Sequence, residues 1–277
     1  MIALAIALLT TAALLAASVQ AGAQTGHSWV TYDSAAASLY SYNPSIARWA
    51  FDPSTSYLDA SNDTGNTNPD PDGLTATPVD RFTSYSTFKS DVSKIGKSTF
   101  KYVMYDNEKW KYTPTIEKEY PATYMAKFAS LAHSHGFHVI FEPARDLAAV
   151  DLQCPQQSGW NDNQWYVSCK IAQDAGADST AGDELWVQNQ ALSTDLSGDD
   201  GSYSYLFGNA CAQARGALAG MGVLAELSSN YGTVSQDNAA AQNALNYTAC
   251  PATGEYFTSL SASWFSGVLT DLKNEGY

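Results

Sequence analysis

The feature that most constrains this chain is an alternation of short apolar runs and amphipathic stretches, which begins at about Arg81 and continues to the C-terminus. Short apolar runs are typical of strands, and apolar residues three or four apart are typical of helices. The clearest unit begins at Thr113-Pro114. A second helix start at Pro121 places Tyr124 and Phe128 on one helix face, stops at Gly136 and continues directly into an apolar strand. The alternation predicts a mainly parallel sheet whose strands are joined by crossover helices.

The alternation can be divided into five strands and six helices. The predicted strands are Phe100–Glu108, His138–Glu142, Glu184–Gln190, Val223–Ser228 and Glu255–Leu260. The predicted helices are Phe82–Ile95, Pro121–His135, Trp165–Gly176, Tyr203–Leu218, Ala239–Leu245 and Trp264–Asn274. Between residues 24 and 80 few helices can be recognised, and the possible strands there are Trp29–Tyr32 and Arg48–Phe51.

Five successive strands with crossover helices, in a domain of about 250 residues, favour an α/β fold of the (β/α)8 TIM-barrel type. We expect one such domain over residues 24–277, irregular or incomplete in its N-terminal part. A doubly wound open sheet is the alternative. It is less favoured because no predicted strand is followed by Gly-x-Gly-x-x-Gly or by a P-loop pattern.

The first 23 residues have the composition of a secretory signal peptide. Residues 2–19 are almost all Ala, Leu and Ile, and Ala21-Gly22-Ala23 supplies the small-x-small pattern of a cleavage site. The apolar stretch is also near the minimum length for spanning a bilayer, so a retained anchor is the alternative. We expect a secreted, extracellular protein that has no membrane contact after cleavage.

The four cysteines fit an oxidising compartment. The most local of the three possible connectivities pairs Cys154 with Cys169 and Cys211 with Cys250, and free buried thiols are the alternative. Neither the cysteines nor the four histidines have a spacing that predicts a metal site, so no metal and no other cofactor is expected.

The balance of charge restricts the partners. The chain has 28 acidic and 14 basic residues and a net charge of −14, while 45% of its residues are hydrophobic and indicate a folded protein. Such a charge disfavours nucleic acid and would repel anionic lipid or anionic polysaccharide. We expect a monomer. Residues 59–73 are rich in Asp and Asn, which fits either a Ca²⁺ site or a turn-rich loop.

Polar residues follow the apolar part of four successive predicted strands. Side chains two apart in a strand face the same side, so Asp106 and Glu108 share the face of Met104. The same phase selects polar residues on the other three strands, namely Glu142, Gln188, Gln190, Glu226 and Ser228. This pattern predicts a polar floor at the carboxyl ends of the strands, where barrel enzymes have their active sites. Alternatively, such acids cap helices or are solvated, and Glu142 can form an ion pair with Arg145.

Two carboxyl groups that face each other across a cavity can divide the acid and base roles that glycosidic hydrolysis requires. We predict Glu108 as the general acid, Glu226 as the nucleophile or base, and Asp106 as a neighbour that tunes the pKa of Glu108. Alternatively, Asp106 and Glu108 form the working pair, as in substrate-assisted cleavage. The side chains predicted to bind substrate are Glu142, Gln188, Gln190, Ser228, Trp110, Trp160 and Trp165. For the three tryptophans, packing of a loop onto the body is the alternative.

The Asp-x-Glu at 106–108, Glu226 in Leu224-Ala225-Glu226 and the abundance of Trp and Tyr together resemble the TIM-barrel glycoside hydrolases over roughly residues 97–265. The Asp-x-Glu is similar to the last part of the Asp-x-x-Asp-x-Asp-x-Glu pattern of family 18 chitinases, whose earlier positions are not present. The resemblance implies a secreted hydrolase that acts on a neutral oligo- or polysaccharide. A non-catalytic barrel that binds carbohydrate and a secreted structural or interaction protein are the alternatives.

Overall fold

The computed structural model describes residues 26–60, 73–155, 157–258 and 261–277. The proposed signal peptide and residues 61–72 of the Asp- and Asn-rich segment lie outside these ranges. The described residues form eight strands and ten α-helices. The strands are β1 (Ser28–Tyr32), β2 (Tyr57–Asp59), β3 (Thr77–Phe82), β4 (Tyr102–Tyr105), β5 (His138–Phe141), β6 (Glu184–Val187), β7 (Gly222–Leu227) and β8 (Gly254–Phe257). The helices are α1 (Asp33–Tyr42), α2 (Pro44–Phe51), α3 (Tyr85–Asp91), α4 (Thr115–Glu119), α5 (Pro121–Ser134), α6 (Asp162–Ser168), α7 (Ile171–Ala177), α8 (Tyr203–Ala217), α9 (Val234–Leu245) and α10 (Ala262–Glu275).

The eight strands form a closed barrel in which each strand pairs in parallel with the next along the chain and β1 pairs with β8. Following the paired residues once around the barrel gives a net offset of eight residues, the shear of a TIM barrel. The predicted TIM-barrel fold is confirmed.

The barrel interior contains an apolar layer to which every strand contributes one side chain. None of these side chains is more than 6% exposed. They are Val30, Tyr57, Val79, Met104, Ile140, Trp186, Leu224 and Tyr256. The alternate residues of each strand face the helices and join the larger core outside the barrel. The two-residue phase therefore separates an inner core from an outer one.

Strands β1 to β3 complete the barrel, so the expectation of an incomplete N-terminal part is wrong, while the expected irregularity matches the lack of a helix between β2 and β3 among the described residues. The predicted strand Arg48–Phe51 is the second half of α2, which Pro44 starts and whose N-terminus the Asn43 side chain caps by accepting from the Ile46 backbone N–H. Strands β2 and β3 were not recognised because β2 has three residues and β3 contains Pro78 beside charged residues.

Three predicted helices differ from the structure by more than two residues. The helix predicted at Phe82–Ile95 is the shorter α3, because Phe82 ends β3. The helix predicted at Trp165–Gly176 is two helices, α6 and α7, which are separated at Lys170, where φ is +60°. Helix α9 begins five residues before the predicted start, because Thr233 and Gln236 form a capping box at its N-terminus.

Both expected disulfides are present. Cys154 pairs with Cys169 at the end of α6, and Cys211 in α8 pairs with Cys250 before β8, with Cα–Cα distances of 5.3 and 5.9 Å. Among the residues that the structure describes, none of the helices has the length and apolar character needed to cross a bilayer.

Candidate active site

A polar ring lies one step above the apolar layer, at the carboxyl end of the barrel. Its members occupy the interior positions two residues after the apolar ones, namely Tyr32, Asp59, Arg81, Asp106, Glu142, Gln188, Glu226 and Thr258. All except Asp59 line a cavity of about 190 Å³, and the loops add Glu108, Gln190, Ser228, Asn230 and Tyr231. The predicted polar floor of the barrel is thus a ring to which all eight strands contribute.

The loop after β4 positions Glu108 through a buried threonine. Thr113 Oγ1 accepts the Glu108 backbone N–H at 3.1 Å and the Trp110 Nε1–H at 2.9 Å, and it donates to the Thr83 carbonyl at 2.9 Å. Glu108 is half-buried at the cavity wall. Of the acidic side chains that line the cavity, it is the one with substantial exposure.

Asp106, Glu108 and Gln188 form a contact at one side of the cavity. The Gln188 amide Nε2 donates to Glu108 Oε1 at 3.0 Å and lies 3.4 Å from Asp106 Oδ1. Burial raises the pKa of Asp106 well above its usual value, and the charge of Glu108 and a hydrogen bond with Glu108 raise it further. The protonated form of Asp106 is therefore favoured beside Glu108.

Arg81 is the counter-charge of this ring. Its Nη1 lies 3.1 Å from Asp106 Oδ2 and its Nε lies 3.3 Å from Asp59 Oδ2. The Tyr256 hydroxyl donates to the same oxygen of Asp59 at 3.0 Å. Arg81 is the one Lys or Arg side chain among the described residues that line the cavity, so the carboxyl groups outnumber the cations.

Glu142 and Glu226 are each 3% exposed and face the cavity. Within the described part of the chain, Oε2 of each has no hydrogen-bond partner. Burial and the charge of Asp106 raise the pKa of both well above the usual value. A buried acceptor without a partner costs about 1–3 kcal/mol, so these oxygens favour a proton or a ligand that donates to them.

Asn189 holds the backbone beneath Glu226. Its Oδ1 accepts the Glu226 backbone N–H at 2.8 Å, and its side chain is fully buried on the helix-facing side of the barrel wall. Sequence reasoning selected the two flanking glutamines and missed Asn189, because the alternation turns it away from the cavity.

The structure brings together most of the predicted site residues. Those that line the same cavity are Asp106, Glu108, Glu142, Gln188, Gln190, Glu226 and Ser228. Arg145 donates to Asn163 Oδ1 at 3.3 Å, and no ion pair with Glu142 occurs among the described residues.

The three predicted tryptophans are not among the residues that line the cavity. Trp110 donates to Thr113, and Trp160 and Trp165 pack edge to face, 5.1 Å apart, against the outer core. In the part of the chain that the structure describes, the aromatic residues that line the cavity are Tyr32 and Tyr231, and Tyr231 is 52% exposed at its rim.

Among the described residues that line the cavity, sequence reasoning missed five. These are Tyr32, Arg81, Asn230, Tyr231 and Thr258. The two-residue phase that selected Glu226 would also have selected Tyr32, Arg81 and Thr258 if it had been extended to β1, β3 and β8.

No protein-family model and no curated protein sequence matches this chain. Among solved structures, the chain is similar to a GH18 chitinase from Pseudoalteromonas aurantia, with a TM-score of 0.54 and 12% sequence identity. The alignment covers 91% of this chain and 100% of that chain. At this identity the likeness shows the fold, and it agrees with the closed parallel barrel described above.

Proposed function

We propose that this protein is a glycoside hydrolase that acts on a neutral oligo- or polysaccharide. The observation that carries the proposal is the arrangement of four carboxyl groups around one cavity at the carboxyl ends of the barrel strands. One of them, Glu108, is half-buried, while the other three are buried and have raised pKa values. Groups with such different surroundings can divide the acid and base roles.

In the proposed reaction Glu108 donates a proton to the glycosidic oxygen, and the bond between that oxygen and the anomeric carbon breaks. Asp106 and Gln188 hold the Glu108 carboxyl group. Burial raises the pKa of Glu226, so this step uses the fraction of the protein in which Glu226 is ionised: its carboxylate removes a proton from a water molecule, and the oxygen of that water bonds to the anomeric carbon. If Asp106 and Glu108 form the working pair instead, an oxygen of the substrate bonds to the anomeric carbon as the glycosidic bond breaks. Water then opens that intermediate, and the proton of this water returns to Glu108.

The remaining cavity residues fit an uncharged ligand. Gln190, Ser228 and Asn230 offer donors and acceptors for hydroxyl groups. The nearby cation, Arg81, already contacts two carboxylates. A volume of about 190 Å³ is below the usual range for drug-sized ligands, so we expect the reacting sugar inside the cavity and further units against Tyr231.

The test is incubation of the purified protein with chromogenic glycosides and with cell-wall polymers. Chitin comes first, because the solved structure with the same fold is named a chitinase. We expect Glu108→Gln to lower turnover by about 10²–10⁴-fold with little change in Tm. The matched control is Glu119→Gln, which changes an acid outside the cavity on the connection between β4 and β5. Full activity of Glu108→Gln would rule out Glu108 as the acid.

The second candidate function is a barrel that binds carbohydrate without hydrolysing it. It is favoured by the Gln188 amide, which already engages the carboxyl groups of both Asp106 and Glu108. In that case a glycan raises Tm without any product, and Glu108→Gln changes affinity alone.

A further inference from the structure

The cations of this acidic chain are concentrated in one stretch. Eight of its 14 Lys and Arg residues lie between Arg81 and Arg145, and all eight are lysines. The same stretch contains six acidic residues, of which Asp106, Glu108 and Glu142 face the barrel cavity. The net charge of −14 therefore arises elsewhere, and it does not describe the outer surface formed by this stretch.

A groove on this outer surface runs between α3 and α5. Its upper part, of about 490 Å³, is lined by Tyr85, Lys89, Tyr124 and Lys127 among others. Its lower part, of about 430 Å³, continues along α5 past Ser130. Because Tyr85 and Lys127 line both parts, the two form one continuous groove, which we call the α3–α5 groove.

The lysines of the α3–α5 groove are exposed and available to a ligand. Lys89 and Lys127 are both exposed to solvent. The Lys127 ammonium group lies 4.1 Å from the centroid of the Tyr124 ring, and this cation–π contact stabilises the ammonium group at the groove. Lys97 continues the series beyond the C-terminus of α5, 5.6 Å from the centroid of the Phe137 ring. Helix α5 has 14 residues and is therefore about 21 Å long. Lys127 within α5 and Lys97 beyond its end therefore place two cations along this helix, which fits a linear ligand with repeated negative charges.

One carboxylate, Glu117, also lines the groove, and its oxygens are occupied by hydrogen bonds within the protein. It is 1% exposed and accepts three hydrogen bonds, from the Tyr85 backbone N–H at 2.7 Å, the Ser86 backbone N–H at 3.1 Å and the Tyr105 hydroxyl at 2.8 Å. Glu117 fixes the groove wall and leaves the lysines as its exposed charges.

We infer that the α3–α5 groove binds an anionic polysaccharide whose sugar units carry carboxylates. The serines along α3 and α5 offer hydroxyl groups, and the tyrosine rings with Ile116, which is 48% exposed, offer apolar walls to sugar C–H faces. The lysines act as separate point charges. The stretch has no arginine, the side chain that suits bidentate phosphate recognition.

The inference differs from the expectation, drawn from the net charge, that anionic polysaccharide is repelled. The net charge of the whole protein determines long-range repulsion. The affinity of a groove depends instead on the charges within about a Debye length of the ligand, roughly 8–10 Å at physiological salt. The α3–α5 groove shares no lining residue with the barrel cavity among the described residues. Binding in the groove and hydrolysis in the cavity can therefore be tested separately.

The test measures the affinity of the full chain for polygalacturonate by isothermal titration at low and at physiological ionic strength. We expect binding that weakens with salt, and a loss of about tenfold or more in the double variant Lys89→Gln/Lys127→Gln. The matched control, Lys170→Gln/Lys273→Gln, makes the same change of net charge outside the groove and should keep most of the affinity. Glu108→Gln should bind polygalacturonate like the unchanged protein, whatever its effect on hydrolysis.

Four outcomes would overturn the inference. They are absence of binding at low ionic strength, an equal loss of affinity in the control variant, equal affinity for fully methyl-esterified polygalacturonate, and equal or tighter binding of duplex DNA. The last outcome would indicate a general polyanion surface.

Discussion

Both ends of the barrel interior contain acidic side chains, but the carboxyl oxygens at the two ends differ in their hydrogen-bond partners. At the amino end, Glu184 accepts from the Tyr57 hydroxyl at 2.7 Å and from Trp186 Nε1 at 2.9 Å, so both of its oxygens have partners. At the carboxyl end, Glu142 and Glu226 each keep one oxygen without a partner among the described residues. Burial raises the pKa at both ends, while the two hydrogen bonds lower that of Glu184. An interior acid with all its partners contributes to structure, and one without them is ready for a ligand or a proton.

The largest effect on activity is expected at the carboxyl end. Glu226→Gln should lower hydrolysis by about 10²–10⁴-fold, because an amide cannot accept the proton of the attacking water. Its Tm at pH 8 should be unchanged or higher, since the amide removes a carboxylate that is costly to bury. The measurements are turnover on the best substrate of the glycan panel and thermal unfolding. Full activity in Glu226→Gln would favour Asp106 and Glu108 as the working pair.

The largest effect on stability is expected at Arg81, the counter-charge of the carboxyl end. Arg81→Met leaves Asp59 and Asp106 without their cation and should lower the free energy of unfolding by about 3–5 kcal/mol. The measurement is denaturant unfolding at pH 7. If the variant does not fold, Arg81→Lys should give a smaller loss, since it keeps the charge but not the guanidinium fork.

The matched control for Arg81 is Arg48→Met. Arg48 lies on the exposed side of α2 and its Nη1 is 3.5 Å from Asp52 Oδ2. Solvent screens this exposed pair, so its removal should have a much smaller effect than Arg81→Met. Equal losses in the two variants would contradict the assignment of Arg81 as a buried counter-charge.

The contrast between the two ends also shows what the sequence could predict. In β4 to β7 apolar residues at two-residue spacing lead to Asp106, Glu142, Gln188 and Glu226, so both the strands and their inward phase could be recognised. For these four strands the local sequence is sufficient to predict the strand and the inward side chains, because a recognisable helix lies next to each strand and alternating strands and helices form a parallel barrel.

The rest of the site depends on pairing that local sequence does not encode. Strand β2 has three residues and is held by its two neighbours, and Arg81 lies in a strand whose Pro78 and Asp80 argue against strand structure. Arg81 becomes interpretable as a site residue only when the closed barrel places it beside Asp59 and Asp106. The position of Trp110 likewise depends on Thr113, a partner that its own spacing does not reveal.

At the amino end we expect the opposite of the Glu226→Gln result: a loss of stability with little change in turnover. Glu184→Gln replaces one acceptor oxygen with a donor that faces either the Tyr57 hydroxyl or Trp186 Nε1, and should lower the free energy of unfolding by about 1–3 kcal/mol. Turnover should stay near that of the unchanged protein, because the apolar layer separates Glu184 from the cavity. A variant that loses turnover without losing stability would remove the distinction between the two ends.

The smallest effect is a gradual dependence of stability on pH. The unfolded chain loses the protons of its Asp and Glu side chains near their ordinary pKa values of 3.8 and 4.5, whereas folded Asp106, Glu142 and Glu226 retain theirs to higher pH. Above about pH 4 the unfolded state therefore binds fewer protons than the folded state, and rising pH favours unfolding. We expect Tm to fall between pH 5 and pH 8. Glu142→Gln should make this fall shallower, because its amide carries no proton to lose, whereas Glu119→Gln should leave it unchanged. A Tm that rises over this range would mean that the folded protein binds fewer protons than the unfolded chain, so that the carboxyl-end acids are ionised when folded, and it would contradict this prediction.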